Sequence, residues 1–260
     1  MVKKINTKSR YIIIFFFLII LFYFICLFFT NKKNLNKNVL DIAHRGYALK
    51  NQESTIQAFK YAIKYNADGL ELDIRQTHDK VIVVTHNQKI KFFNKKIDQL
   101  DFYEIQKNTK IPSLKEIIKL AKKHNKTIWI EIKESHLYDK IIDNLLYIIK
   151  SENYEYNTII QSFNLNDLVY IHKKNKQIKL LKLNIFIFSY QSIPPYIDYI
   201  GLPLIIGILD CNSINTIHKK GHKIIFWRES FVSENKYFIN FLSKRGADGF
   251  MLDKPFRFFN

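Results

Sequence analysis

Several short apolar runs in this chain end in residues that a hydrophobic core would not select. His44 and Arg45 close VLDIAH (39 to 44), and Glu71 and Asp73 alternate with Leu70, Leu72 and Ile74 in GLELDI (69 to 74). His86 closes VIVVTH (81 to 86), and Glu131 and Lys133 alternate with Ile130 and Ile132 at the end of TIWIEI (127 to 132). Side chains two apart on a strand share a face. Glu71 and Asp73 therefore point together, as do Glu131 and Lys133. Three carboxylates held close repel one another unless a cation sits among them, and an all-oxygen set suits Mg²⁺ or Ca²⁺ better than Zn²⁺. Two histidines flanking such a cation can serve as general base and general acid. Arg45 and Lys133 can then hold a phosphate, one as a two-pronged fork and the other as a compact charge. Any one of these features alone fits a hydrogen-bonded structural histidine or a solvated strand edge. Their coincidence at the ends of four separate runs points to a site.

The elements that must position these residues form a repeated strand and helix alternation. Further strand-like runs are TIIQSF (158 to 163), IKLLKL (178 to 183), YIDYIG (196 to 201), KIIFW (223 to 227) and GFML (249 to 252). Between the runs, apolar residues spaced by three and four predict helices over Thr55 to Tyr65, Leu114 to Lys123, Leu137 to Ser151, Leu165 to Lys174, Ser213 to Lys219 and Glu234 to Lys244. Such alternation implies a parallel sheet with helical crossovers. A doubly wound sheet usually carries a glycine-rich phosphate loop after its first strand, and no G-x-G-x-x-G or Walker sequence occurs. An α/β fold of the TIM type, a closed (β/α)₈ barrel, accounts for the strand number, the domain length and the polar strand ends, where barrel sites lie.

Ahead of this pattern, residues 11–30 (YIIIFFFLIILFYFICLFFT) contain neither charge nor proline. At about 1.5 Å per residue they reach roughly 30 Å, the thickness of a bilayer's hydrocarbon core. Small residues suited to signal cleavage do not follow, so one uncleaved N-terminal transmembrane helix is expected over 11–30. Lys3, Lys4, Lys8 and Arg10 precede it, while Lys32, Lys33 and Lys37 follow. That asymmetry puts residues 1–10 in the cytoplasm and the remainder on the non-cytoplasmic side of the membrane. Residues 31–38 (NKKNLNKN) read as a linker, and 39–260 as a single barrel domain. The formal net charge of +18 favours phosphorylated substrates and an anionic membrane surface. Nucleic acid is not an expected partner, because no arginine-rich arm, zinc finger or RNA-binding motif is present. Cys26 and Cys211 cannot form a disulfide framework or a thiolate metal site. Nothing in the sequence sets an oligomeric state.

At the polar strand ends the chain resembles the glycerophosphodiester phosphodiesterase family. The match runs through AHRG (43 to 46), QESTIQAF (52 to 59), ADGLELDIRQTHDKVIVVTHN (67 to 87), IPSLKEII (111 to 118) and WIEIK (129 to 133). QSF (161 to 163), FW (226 to 227) and GADGFMLDKP (246 to 255) complete it, in order and at sensible spacing. The resemblance implies a metal-dependent phosphodiesterase that releases an alcohol and sn-glycerol 3-phosphate from a glycerophosphodiester. It also implies Glu71, Asp73 and Glu131 as ligands of a divalent cation, Mg²⁺ or Ca²⁺, and His44 and His86 as the acid and base pair. Arg45 and Lys133 are implied as phosphate contacts, Glu53 as lining the site close by, and Trp227, ending the seventh barrel strand, as packing on the glycerol moiety.

This chain departs from the family pattern at several places. Asn87 follows His86 where the family usually has Asp, which removes a negative charge that would raise the histidine's pKa. Gln52 and Ser54 stand where proline and asparagine usually flank the glutamate. WRES (227 to 230) replaces Trp-Thr-Val-Asn, so Arg228 and Glu229 are expected near the mouth, bearing on substrate range. The segment Gln88 to Lys110, the family's small insertion, is short and lysine-rich and reads as a compact cap over an open pocket. The leading expectation is a membrane-anchored glycerophosphodiesterase acting on glycerophosphodiesters or lysophospholipids. A membrane-anchored lysophospholipase D is the alternative, and a binding protein on a disabled barrel is a third.

Overall fold

The fold is given by a computed structural model describing residues 11, 14–19, 21–22, 39–47, 52–138, 140–185, 192–209, 212–229 and 234–254. Its strands are β1 (Leu40–Ala43), β2 (Gly69–Gln76), β3 (Ile82–Val84), β4 (Lys89–Ile90), β5 (Lys95–Lys96), β6 (Thr127–Ile132), β7 (Thr158–Ser162), β8 (Lys179–Leu183), β9 (Tyr199–Pro203), β10 (Lys223–Trp227) and β11 (Gly249–Leu252). The helices packed around them are α1 (Ile56–Lys64), α2 (Phe102–Asn108), α3 (Leu114–Lys123), α4 (Ile141–Ser151), α5 (Leu165–Lys174), α6 (Leu204–Leu209), α7 (Asn212–Lys219) and α8 (Lys236–Lys244).

Alternation along the strands sets the architecture. Leu70, Leu72 and Ile74 of β2, with Ile128, Ile130 and Ile132 of β6, pack outward with Phe59 and Ala62 of α1 and Ile117 and Ile118 of α3. The intervening residues face the barrel interior, where Ile42, Trp129, Ile159, Leu181, Tyr199, Ile225 and Met251 form an apolar plug. Trp129 meets Tyr199 edge to face at 5.0 Å, and its indole lies over Gly69, leaving no room there for a Cβ. Toward the C-terminal strand ends the same inward face turns polar. That switch separates a packed floor from a reactive mouth.

β1, β2 and β6 to β11 are parallel and pair in a ring. It closes on β1, with Leu40 beside Gly249 on one side and Ile42 beside Gly69 on the other. This is the expected eight-stranded barrel. One expected strand is not part of the ring. β3, from VIVVTH, runs antiparallel to the end of β2, with Ile74 opposite Val84 and Gln76 opposite Ile82. Only residues 77–81 separate the two. That suffices for a turn, closed by Thr77 N–H donating to the Val81 carbonyl, but not for the crossover a parallel neighbour requires.

Helix starts follow local chemistry. The Thr55 hydroxyl accepts the Ala58 N–H to open α1, and Ser113 and Glu116 form a reciprocal capping box on α3. The predicted helices match closely, except that α4 begins at Ile141 rather than Leu137; α2 and α6 are not foreseen. The expected membrane helix over 11–30 lies largely outside the described residues. Residues 14–19 are helical, and among the described residues no helix is long and apolar enough to cross a membrane.

Candidate active site

Ile42 faces the barrel interior, so His44, two residues on, continues that face into the mouth. Beyond it the chain turns through two left-handed residues, Arg45 at φ 52° and Gly46 at φ 78°. A Cβ on Gly46 would lie 2.8 Å from the Ala58 carbonyl carbon, so glycine alone lets α1 pack here. At Arg45 the left-handed conformation costs about 1–2 kcal/mol. It aims the Arg45 backbone N–H at Glu71 Oε2, 2.9 Å away, which ties the first strand end to the carboxylates.

Glu71, Asp73 and Glu131 each offer an oxygen, all within 4.8 Å of one another, and all three residues are buried. Asp73 and Glu131 sit side by side because their strands pair in that register. Arg45 Nε lies 3.0 Å from Asp73 Oδ2, and Lys133 Nζ lies 3.1 Å from Asp73 Oδ1 and 2.5 Å from Glu131 Oε1. At the rim, Arg45 Nη1 donates to both oxygens of Glu53 at 3.2 Å. Gln161 Nε2 donates to Glu71 Oε1 at 2.9 Å.

His44 Nδ1 is 2.7 Å from Asp253 Oδ1, which leaves Nε2 facing Glu71 Oε2 at 4.0 Å. His86 follows β3 rather than a barrel strand. Arg75 fixes its backbone, donating from Nε and Nη2 to the His86 carbonyl at 3.1 and 2.9 Å while Nη1 grips Glu134 at 2.6 Å. Trp227 ends the seventh strand of the ring and meets Phe163 edge to face at 6.2 Å. Its buried indole N–H has no partner among the described residues. The structure thus gathers His44, Arg45, Glu53, Glu71, Asp73, Glu131 and Lys133 in direct contact, with His86 and Trp227 supplied by neighbouring elements.

Burial dominates the electrostatics. It pushes Glu71 well above the ordinary glutamate value, assisted by the charges of Asp73 and Glu131. Burial and Asp73 likewise push Glu131 up to about 7, against partial relief from Lys133. Burial would also raise Asp73, but Lys133 and Arg45 outweigh it and hold that carboxyl low. His86 is lowered by burial and then by the Arg45 guanidinium, its hydrogen bond with Asn87 offsetting this only in part. That outcome follows from an amide standing where a carboxylate would have opposed the shift.

The donor set fits a hard divalent cation. It is all oxygen, it is buried, two of its members resist ionising together, and both Asp73 oxygens lack a well-directed hydrogen-bond donor. The three carboxylates stand together rather than splayed apart, which weighs against a binding protein on a disabled barrel.

Three residues contribute here that the sequence reading did not single out. Asp253 and Gln161 lie two residues beyond Met251 and Ile159 on inward faces, so the period of two, followed along β7 for Gln161 and one residue past β11 for Asp253, would have found them. Arg75 carries no such signal, since its role depends on the β3 turn. The expectation for WRES holds for Arg228, which lies at the mouth against the carboxylate that holds His44, and fails for Glu229. Arg228 pairs with Asp253 and lies 3.6 Å from Glu234, while Glu229 is buried, accepting the backbone N–H groups of Leu204 and Ile205 at 3.1 and 3.3 Å. A carboxylate takes that position because the start of α6 presents unsatisfied donors.

A closed parallel barrel whose mouth joins buried carboxylates, two histidines and two fixed cations defines a phosphodiester-cleaving class of enzyme. The chain belongs to the glycerophosphoryl diester phosphodiesterase family, whose family model matches residues 44–256, and it is a phosphoric diester hydrolase. It is 29% identical over 238 residues to a glycerophosphodiester phosphodiesterase of Caldanaerobacter subterraneus, covering 83% of this chain and 94% of that one. It is 26% identical over 235 residues to lysophospholipase D GDPD1 of Mus musculus, covering 79% and 73%. Among solved structures, a glycerophosphodiester phosphodiesterase from Thermotoga maritima superposes with a TM-score of 0.67 at 29% identity, covering 84% of this chain and 96% of that one.

Proposed function

We propose that this chain hydrolyses glycerophosphodiesters to an alcohol and sn-glycerol 3-phosphate. The observation that carries this reading is the convergence of Glu71, Asp73 and Glu131 within 4.8 Å beneath Arg45 and Lys133. In this reading the three carboxylates hold Mg²⁺ or Ca²⁺, which supplies charge stabilisation to the phosphoryl oxygens when bound. Arg45 and Lys133 bind the phosphate and offset the charge that develops on it. Arg45 is paired with Asp73 and Glu53, and Lys133 with Asp73 and Glu131, which fixes both side chains. His44 and His86 move the two protons, one taking a proton from the attacking oxygen and the other giving one to the leaving alkoxide. Asp253 fixes the His44 ring, and Arg75 fixes the backbone of His86. Trp227 and Phe163 offer an aromatic wall to the glycerol moiety.

Residues 11–30 anchor the chain in this reading and keep the barrel beside the bilayer on its non-cytoplasmic side, with the lysine-rich surface toward anionic lipid. The apolar segment and the lysophospholipase D among its relatives favour a second reading, in which monoacyl lipids are the preferred substrate. Turnover of glycerophosphocholine and of lysophosphatidylcholine by the full chain, each with Mg²⁺ or Ca²⁺, separates the two. A higher kcat/KM on the deacylated diester supports the first reading, and the reverse order supports the second. Failure on both, across a panel of headgroups, would rule out the activity.

A further inference from the structure

The cap that follows β3 has a small core of its own. Ile90, Ile97, Leu100 and Ile105 are buried with Val83, and Phe93 packs partly against them. From this base the β4–β5 hairpin projects, with Lys89 opposite Lys96 and Ile90 opposite Lys95, so residues 91–94 form its tip. Phe92 stands out of that tip at 68% exposure, propped edge-on against the Phe93 ring 4.9 Å away. Lys89, Lys91, Lys95 and Lys96 share the hairpin with it, the first three exposed, and no acidic residue occurs from 89 to 96. A single exposed phenylalanine is ordinary. A phenylalanine held outward by a packed neighbour on a hairpin that carries four lysines and no acidic residue is the composition of a membrane-interface contact. The hairpin also walls a cavity of about 490 Å³ whose lining includes Glu53 and Asn87. It therefore lies at the mouth end of the barrel, beside Arg45 and His86.

We propose that the Lys89 to Lys96 hairpin is a second membrane contact, in which Phe92 enters the headgroup layer of an anionic bilayer and the four lysines meet its lipid charges. This rests on the membrane placement of the chain proposed above and adds an orientation to it: the barrel mouth is turned toward the lipid surface. Charge complementarity selects the occupant. Each lysine brought against an anionic leaflet multiplies surface affinity about fivefold, whereas a zwitterionic surface offers that gain to none of them.

The test uses the full chain in nanodiscs whose lipids carry bromine on the acyl chains, with Phe92→Trp as the reporter and the parent chain as the background for Trp129 and Trp227. An unchanged thermal melt shows that the variant is folded. The expected result is bromine quenching and a blue shift at Phe92→Trp in phosphatidylglycerol discs, several-fold weaker in phosphatidylcholine discs. Most of the effect should be lost on adding Lys91→Glu with Lys95→Glu. A reporter that stays open to aqueous acrylamide with no bromine quenching in either lipid would overturn the proposal, as would equal quenching in both. Retention of the chain on discs through alkaline carbonate reads the anchor alone, so loss of that placement is distinguishable from loss of the hairpin contact.

Discussion

Stripping divalent cations from the protein should expose the energetic cost of burying Glu71, Asp73 and Glu131 together, with a pH dependence whose sign the cluster determines. Glu131 is raised from 4.5 to about 7 in the folded chain, by burial first and by Asp73 second. The folded state therefore holds that proton more tightly than the unfolded state. The associated stability is fully present below about 4.5 and is lost as pH rises through about 7. A shift of this size corresponds to about 3 kcal/mol. Glu71, raised in the same direction, adds to the slope. Asp73, held low, is ionised in both states across this window and does not cancel it. For a domain of this size about 3 kcal/mol is roughly 10 °C of melting temperature. Thermal unfolding of the full chain in chelator, followed by circular dichroism from pH 5 to pH 7.5, should show a fall of that order. Glu131→Gln should flatten much of it. Added Mg²⁺ or Ca²⁺ should stabilise the parent more at pH 7.5 than at pH 5, because only ionised carboxylates ligate. A melting temperature that rises across this range in chelator, or a cation effect equal at both pH values, would refute the reasoning.

Other substitutions test single links. Gly46→Ala should lower stability by about 1–3 kcal/mol, since it combines a positive φ with a clash on the Ala58 backbone, and should reduce turnover by moving His44 and Arg45; melts and steady-state rates measure both. Arg75→Lys removes the fork that holds the His86 carbonyl, so kcat should fall about tenfold while cation affinity, measured by titration calorimetry, stays within about twofold, because Arg75 touches no carboxylate of the cluster. Gln161→Leu leaves Glu71 Oε1 without its donor and should weaken cation binding by about ten- to a hundredfold in the same titration.

The barrel was legible because its strands carry two independent patterns. Outward residues such as Leu70, Leu72 and Ile74 read as core, and inward Glu71 and Asp73 read as chemistry, so one stretch declared both the strand and its reactive face. The same period reaches Gln161 within β7 and Asp253 just past β11, whose roles lay in motifs that had been matched without being assigned. VIVVTH was misplaced as a further strand of the series for the opposite reason. Its composition is that of a buried strand, and only the length of the preceding turn reveals that it folds back antiparallel. The rims were least legible. Glu229 looks like a mouth residue by position, yet the unsatisfied N–H groups at Leu204 and Ile205 draw it inward, and the short helix presenting them has no apolar period to announce it.

Release of sn-glycerol 3-phosphate from glycerophosphodiesters by the full chain, followed while divalent cation is chelated and then restored, tests whether the carboxylate cluster works through a cation. Release should stop in excess chelator, return with Mg²⁺ or Ca²⁺, and be absent from Glu131→Gln and His44→Ala at any cation concentration. Full turnover in chelator, or undiminished release by His44→Ala, would contradict this mechanism.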